Sequence, residues 1–152
     1  MNDRVRIFTL LITGSAFASC GGDPNPTALG PGSGDRDPPM TRVILQNPSF
    51  EQDVQEIFVR TGCADSGCHR DGQAGLFLRP NDAANYGNIV NVAAESEREY
   101  FLVEPFDATN SYMIIRLEDR QRVGVPMPPG SRIDNIDLTN LRNWIDNGAP
   151  NN

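Results

Sequence analysis

Apolar side chains recur at helical spacing in two parts of the chain. The first stripe has the i, i+4, i+7, i+8 spacing of a helix with one buried face: Phe50, Val54, Ile57 and Phe58. Ser49 is placed to cap the N-terminus of this helix, and Gln52, three residues later, completes a capping-box pattern. Gly62 follows the stripe and is expected to end the helix.

The second stripe lies near the C-terminus and is the better defined of the two. Its apolar positions are Leu138, Leu141, Trp144 and Ile145. Asp134 is a plausible N-cap, and Asp137 in the first turn complements the helix dipole. Ile133 is spaced to form a hydrophobic staple with Leu138, and Gly148 stands where a C-terminal glycine cap belongs.

Weaker patterns fill the region between these helices. A short helix is predicted over 81–90, and another over 112–117 with Ser111 as its cap. Residues 100–103 fit an extended segment, and 43–45 fit either a strand or a packed segment leading into the first helix. About four helical segments with few strand patterns predict a mainly α domain.

A different pattern precedes residue 42. Arg4 and Arg6 stand before the apolar run 7–17, which is followed by small residues, and this order is typical of a signal peptide. The run is too short to cross a bilayer as a permanent helix. Phe17-Ala18-Ser19-Cys20 resembles a bacterial lipobox, and that resemblance implies a signal peptide over 1–19 and lipidation of Cys20. An ordinary secretory signal remains the alternative.

Residues 20–41 are predicted to tether a single folded domain, residues 42–152. Ten of the 19 residues from 21 to 39 are Gly or Pro, a composition that disfavours a packed structure. The 152-residue chain has a net charge of −7, which becomes −8 when residues 1–19 are removed. Such an acidic chain is not expected to bind nucleic acid, whose phosphates would repel it.

The candidate chemistry lies in the segment CADSGCH, which runs from Cys63 to His69 and contains the only histidine. Two cysteines followed at once by His are typical of c-type haem attachment, usually with two residues between the cysteines. Here the spacer has four residues, which must bulge as a loop. A Cys63–Cys68 disulfide is the main alternative in an exported protein. A structural zinc site is disfavoured, since it needs four ligands.

A haem held by His69 on one side takes a second axial ligand on the other, and a thioether is a common choice. Met127 lies in VPMPPG, where the flanking prolines restrict the backbone. Met113 is a rival, although it falls within a predicted helix and is better explained by core packing. Met40 belongs to the tether. Met127 could also simply fill a gap in the core.

The order of these segments resembles the small monohaem cytochrome-c-like domains of exported proteins from planctomycetes and related bacteria, as a C-x4-C-H variant. The segments that carry the resemblance are CADSGCH, GLFL (75–78), LVEPFDATNSYMIIRL (102–117), MPPG and NWIDNGAPN (143–151). It implies a cytochrome c-like fold with one covalent haem c, attached through Cys63 and Cys68 and ligated by His69 and Met127. Phe106 stands where the family pattern suggests Gly.

The resemblance also implies that the first and last helices cross beside the haem. From the residues themselves, the large side chains able to make that contact are Phe50, Phe58, Trp144 and Ile145. Four arginines are candidates to neutralise haem propionates, although solvated surface charge explains any one of them as well: Arg70, Arg79, Arg116 and Arg132.

The expected function is therefore a one-electron carrier, not an enzyme. It would be exported and anchored by lipid, in the outer membrane facing the periplasm or at the cell surface, with redox partners that present a basic docking face. Two alternatives stay open. One is a haem-free structural or interaction lipoprotein domain with a Cys63–Cys68 disulfide. The other is a haem sensor or small-ligand binder in which Met127 coordinates weakly or not at all.

Overall fold

The computed structural model describes residues 42–152. The predicted signal peptide, the lipidation site Cys20 and the tether lie outside the described residues. Four α-helices form within residues 42–152: α1 (Gln55–Arg60), α2 (Ala84–Ile89), α3 (Tyr112–Leu117) and α4 (Asn135–Asp146). In this part of the chain β pairing is limited to two isolated bridges, between Val90 and Val103 and between Ala93 and Phe101. The prediction of a mainly α domain with about four helices is confirmed.

The first helical segment begins with a π-helical turn, Phe50–Val54, which continues directly into α1. Ser49 caps it as predicted, because its hydroxyl accepts from the backbone N–H of Gln52. The predicted reciprocal partner is wrong. The carboxylate of Asp53, not the side chain of Gln52, accepts from the backbone N–H of Ser49, at 2.7 Å. The wider π turn explains the shift, since it moves the facing side chain one residue along the chain.

Helix α4 begins and ends where the sequence predicts. The Asp134 carboxylate accepts from the backbone N–H of Ile136 at 2.8 Å. At the other end Gly148 adopts a φ of +93°, the left-handed conformation that glycine accepts most easily. Ser111 precedes α3 as predicted but makes no side-chain cap bond; its hydroxyl donates instead to the carbonyl of Asp107 at 2.8 Å.

The core forms where the first helical segment meets α4. The rings of Phe50 and Trp144 lie 5.5 Å apart, and Tyr86 from α2 contacts the edge of Phe50 at 5.2 Å. Phe58 and Ile145 are buried in the same apolar cluster. The four large residues expected at this helix contact are therefore all in the core.

Residues 43–46 run along α4 without forming a strand and are hydrogen-bonded to it, although the side chains of Val43 and Ile44 are exposed. Asn140 bonds this segment twice, accepting from a backbone N–H at 2.8 Å and donating to a carbonyl at 3.0 Å. Asn143 and Asn147 donate to two further carbonyls of the segment, at 2.6 and 2.7 Å. These three asparagine side chains hold the backbone of the segment against α4 in place of a partner strand.

An ion-pair cluster joins the end of α1 to the start of α4. The guanidinium of Arg60 donates to both carboxylate oxygens of Asp137, at 2.8 and 3.0 Å, and also pairs with Glu56. Arg42 adds a third contact to Asp137 at 3.3 Å. The Asp137 side chain is only 2% exposed, so this acid, predicted as a simple dipole partner, also links two helices. The cluster fixes the end of α1 three residues before Cys63.

Candidate functional site

The segment between Cys63 and His69 is a compact loop closed by its own backbone. The N–H of His69 donates to the carbonyl of Cys63 at 3.0 Å, and the N–H of Cys68 donates to that of Asp65 at 3.0 Å. Gly67 supplies a φ of +82° at the turn. The expected bulge of a four-residue spacer is therefore present, and Gly67 supplies the conformation that a bulkier residue would find strained.

An apolar cavity opens beside this loop, and four elements contribute to its wall. Three of the predicted site residues line it: Cys63, His69 and Met127. Around them stand mainly apolar side chains from α1, α2, α3, α4 and the connecting segments: Ile57, Phe58, Leu76, Leu78, Ile89, Leu102, Met113, Leu117, Ile133 and Leu141. Besides His69, the polar residues of the lining are few: Glu95, Ser96, Tyr112 and Arg116. Met127 thus meets His69, 58 positions earlier in the sequence, and Cys63, 64 positions earlier, at one cavity.

His69 is oriented by a backbone carbonyl. Its Nδ1 lies 3.1 Å from the carbonyl oxygen of Gln73, which can only accept, so Nδ1 carries the proton and Nε2 keeps a lone pair. Burial lowers the pKa of His69 below its ordinary value, and the charge of Arg116 acts in the same direction. Hydrogen bonds to the backbone of Gln73 and Leu76 oppose these effects. The imidazole is thus neutral at pH 7 and available as a metal ligand.

The two cysteines of the motif differ in their surroundings. Cys63 carries a free thiol, half-buried at the cavity, with its sulfur 3.2 Å from the hydroxyl of Thr61. Burial raises the pKa of this thiol above its ordinary value, so it is protonated at neutral pH. Cys68 is 8% exposed and lies outside the cavity lining. Since Cys63 is free, the structure does not contain the predicted alternative bond between Cys63 and Cys68.

Both candidate methionines reach the cavity. Met127 is half-buried in the loop between α3 and α4, and its backbone N–H donates to the carbonyl of Arg116 at 3.0 Å. Met113 lies in α3, packs against the core cluster and also lines the cavity. The structure therefore brings Met127 to the same cavity as His69. Because Met113 lines that cavity too, it remains the rival candidate for the ligand.

Among the four predicted arginines, Arg116 alone is placed at the cavity lining that the structure describes. Its guanidinium lies over the ring of Tyr112 at 5.8 Å and donates to the carbonyl of Val123 at 3.1 Å. Arg79 lies over Phe77 instead. Arg70 and Arg132 are exposed.

Sequence reasoning did not identify Glu97, whose carboxylate binds the loop that leads to Met127. Glu97 is 4% exposed and accepts from the side chain of Arg122 at 2.8 Å. It also accepts from the backbone N–H groups of Arg122 and Val123 and from the hydroxyl of Tyr112. The interaction with Arg122 is the main cause of a lowered pKa at Glu97, which keeps the carboxylate ionised. An acid within the polar run ESERE offers no local signal of such a role.

The donor set at the cavity fits a haem better than a bare metal ion. A neutral imidazole, a thioether and a thiol lie in an otherwise mostly apolar lining, which is the chemistry expected of a c-type haem pocket. Within residues 42–152 no group of three or more His, Cys, Asp or Glu side chains is placed to hold a metal ion. The cavity measures about 120 Å³, below the roughly 300–1,000 Å³ of small-molecule and cofactor pockets. The lining would therefore have to open to admit a haem.

Comparisons with known proteins add no relative to this picture: no protein-family model, curated protein or solved structure matches the chain. Among residues 42–152, no helix has the length and apolar character needed to cross a bilayer.

Proposed function

We propose that the protein is an exported, lipid-anchored monohaem c-type cytochrome that carries single electrons. The observation that carries this proposal is the meeting of His69, Met127 and Cys63 at one apolar cavity. His69 and Cys63 belong to one motif, but Met127 lies 58 residues beyond His69, and local sequence does not require it to be there. The cytochrome c-like fold and the covalent haem c are part of the same proposal.

The side chains have distinct roles in this account. His69 would offer Nε2 to the iron, and the carbonyl of Gln73 holds the ring in the tautomer that this requires. Met127 would offer a second ligand to the iron, while Cys63 and Cys68 would supply the thioether links. The apolar walls would exclude water, and Arg116, a lining residue, would supply a positive charge to a propionate.

When bound, a six-coordinate haem supplies a one-electron couple with no coordination position left for substrate. Thioether ligation raises the reduction potential, and the apolar surroundings contribute in the same direction. This combination suits electron transfer and not bond-making catalysis. We therefore do not assign an enzymatic activity to the cavity.

The charge of the chain supports a particular class of partner. Residues 20–152 carry a net charge of −8 in the sequence, so a redox partner with a basic docking face would be attracted at long range. Association should then slow as ionic strength rises, because salt screens such attraction. A lipid on Cys20 would hold the domain at a membrane, and we place it in the outer membrane, facing the periplasm or exposed at the cell surface.

The proposal is tested by producing the full chain together with a cytochrome c maturation system and recording absorption spectra of the purified protein. A pyridine haemochrome spectrum of the c type is expected, with a weak absorption band at the red edge of the ferric spectrum from thioether ligation. A colourless protein produced alongside a correctly matured control cytochrome would contradict the proposal and favour the haem-free alternative.

Met113 provides the matched control for the axial ligand. Met127→Ala should abolish the thioether band, whereas Met113→Ala, made in the same cavity wall, should retain it. Loss of the band in Met113→Ala but not in Met127→Ala would show that Met113, and not Met127, is the ligand. Absence of the band in the unmodified holoprotein would favour the sensor or ligand-binding alternative.

A further inference from the structure

The loop that carries Met127 has no regular secondary structure between α3 and α4, so side-chain contacts must position it. Residues 118–134 contain three prolines and two glycines. Two anchors come from α3: the carbonyl of Arg116 accepts from the N–H of Met127 at 3.0 Å, and its guanidinium donates to the carbonyl of Val123 at 3.1 Å.

A third anchor comes from Glu97, 30 residues before Met127 in the sequence. One carboxylate oxygen accepts from the backbone N–H of Arg122 at 2.9 Å and from that of Val123 at 3.4 Å. The other oxygen accepts from Nε of Arg122 at 2.8 Å. A buried carboxylate that accepts from backbone amides restrains the chain more firmly than a surface ion pair, since releasing it would leave a charge without partners.

Tyr112 connects this anchor to the cavity. Its hydroxyl lies 3.2 Å from the same Glu97 oxygen, while its ring lines the cavity. The ring also stacks on Tyr100 at 6.1 Å, so its position is fixed from two sides. Glu97 therefore holds together a cavity wall and the loop that brings Met127 to that cavity.

We propose that Glu97 is a positioning residue for Met127: its buried carboxylate fixes loop 121–127 so that the thioether faces the cavity shared with His69. This inference rests on the proposed function, because the position of Met127 matters through iron ligation. Glu97 is not itself part of the cavity lining; it bonds Tyr112 and the backbone of the loop, and its effect on Met127 is transmitted through them.

Glu99 offers a matched control. It pairs with the guanidinium of the same Arg122, but it is half-exposed and its contact with the loop is through that side chain. Glu99→Ala therefore perturbs the surface end of the Arg122 interaction, whereas Glu97→Ala also removes the acceptor of two loop amides. Glu97→Gln retains one amide-accepting oxygen and should behave between the two.

The test uses the full chain with carbon-13-labelled methionine methyl groups, first without haem. In Glu97→Ala the methyl signal of Met127 should move toward that of an exposed methionine, while the signal of Met113 stays in place. Glu99→Ala should leave both signals unchanged. An unmoved Met127 signal in Glu97→Ala, or equal movement of both signals, would overturn the proposal.

The same variants are then compared with haem attached. Glu97→Ala should weaken thioether binding to ferrous iron at least tenfold more than binding to ferric iron, which lowers the potential of the one-electron couple by about 59 mV, at unchanged haem content. If Glu97→Ala does not fold, Arg122→Ala gives the same comparison, with a smaller shift of Met127 expected and no shift overturning the proposal. Failure to attach haem would contradict the proposed function alone, since the labelled methyl groups still report whether Glu97 positions Met127.

Discussion

Removing Arg60 and removing Asp137 from their ion pair should cost different amounts of unfolding free energy. Asp137 is almost fully buried, at 2% exposure of its side chain, whereas Arg60 is 34% exposed and keeps a second partner in Glu56. Removing the acid leaves a guanidinium that water can reach. Removing the base leaves a buried carboxylate with Arg42 at 3.3 Å as its remaining charged partner.

The magnitudes follow from that difference. Loss of one partner of a buried ion pair costs about 3–5 kcal/mol, because an uncompensated charge stays buried. For Asp137→Ala, exposure of the released Arg60 reduces this to about 2 kcal/mol of unfolding free energy. For Arg60→Met, which keeps the apolar stem, we expect about 3 kcal/mol. The double variant should cost about 1.5 kcal/mol less than the sum of the two single variants.

Urea denaturation of the three variants, followed by circular dichroism, measures these differences. Glu56→Gln is the control, since it removes only an exposed i,i+4 pair and should cost about 0.5 kcal/mol or less. The reasoning would be refuted if Asp137→Ala cost more than Arg60→Met, or if the two single effects added without coupling.

Two further predictions concern titration and backbone strain. Hydrogen bonds lower the pKa of Glu97, Asp107 and Glu118, so their stabilisation is complete above the unfolded-state values near 4 and is lost as pH falls through the folded values. Burial lowers the pKa of folded His69, so stability should already fall modestly from pH 7 to 5 as the imidazole has to be protonated. Urea titrations should then show a sharper fall from pH 5 to 3 as the three carboxylates are protonated; equal stability at 5 and 3 would contradict this. Phe106 has a φ of +70° and is 75% exposed, so Phe106→Gly should raise stability by about 0.5 kcal/mol, as relieved strain of about 1–2 kcal/mol outweighs added unfolded-state entropy. A lower melting temperature would show that the packing of the ring matters more than the strain.

Local sequence was sufficient for features that depend on neighbouring residues. The caps at Ser49 and Asp134 and the glycine end of α4 rely on contacts within a few positions, and all three are present. The capping partner at the first helix was misassigned because a π-helical turn changes which residue faces Ser49, and periodicity alone does not distinguish a π turn from an α turn.

Contacts between distant residues were not predictable in the same way. Glu97 with Arg122, and Arg60 with Asp137, pair across 25 and 77 positions, and nothing local marks any of the four as buried or paired. The cavity is an intermediate case. His69 and Met127 were singled out by chemistry and by resemblance, but their common location depends on how α3 and α4 pack around the loop.

Phe106 is a position where an expectation from the sequence can be compared with the backbone conformation and packing. The cytochrome-c-like domains that the sequence resembles suggest Gly at this position, and the left-handed backbone there is one that glycine adopts without strain. The chain instead places an aromatic ring against Gly148, where an added Cβ atom would approach the ring to 2.5 Å. A larger residue at 148 is therefore incompatible with the present position of Phe106.

Covalent attachment of one haem through Cys63 and Cys68 is the central claim, and the intact mass of the matured protein tests it most directly. After denaturing extraction that removes non-covalent haem, the wild-type chain should retain the added mass of one haem. Cys63→Ser and Cys68→Ser should each weaken attachment, and the double variant should lose it entirely. A wild-type chain without the added mass, from cells that mature a control cytochrome, would contradict the account.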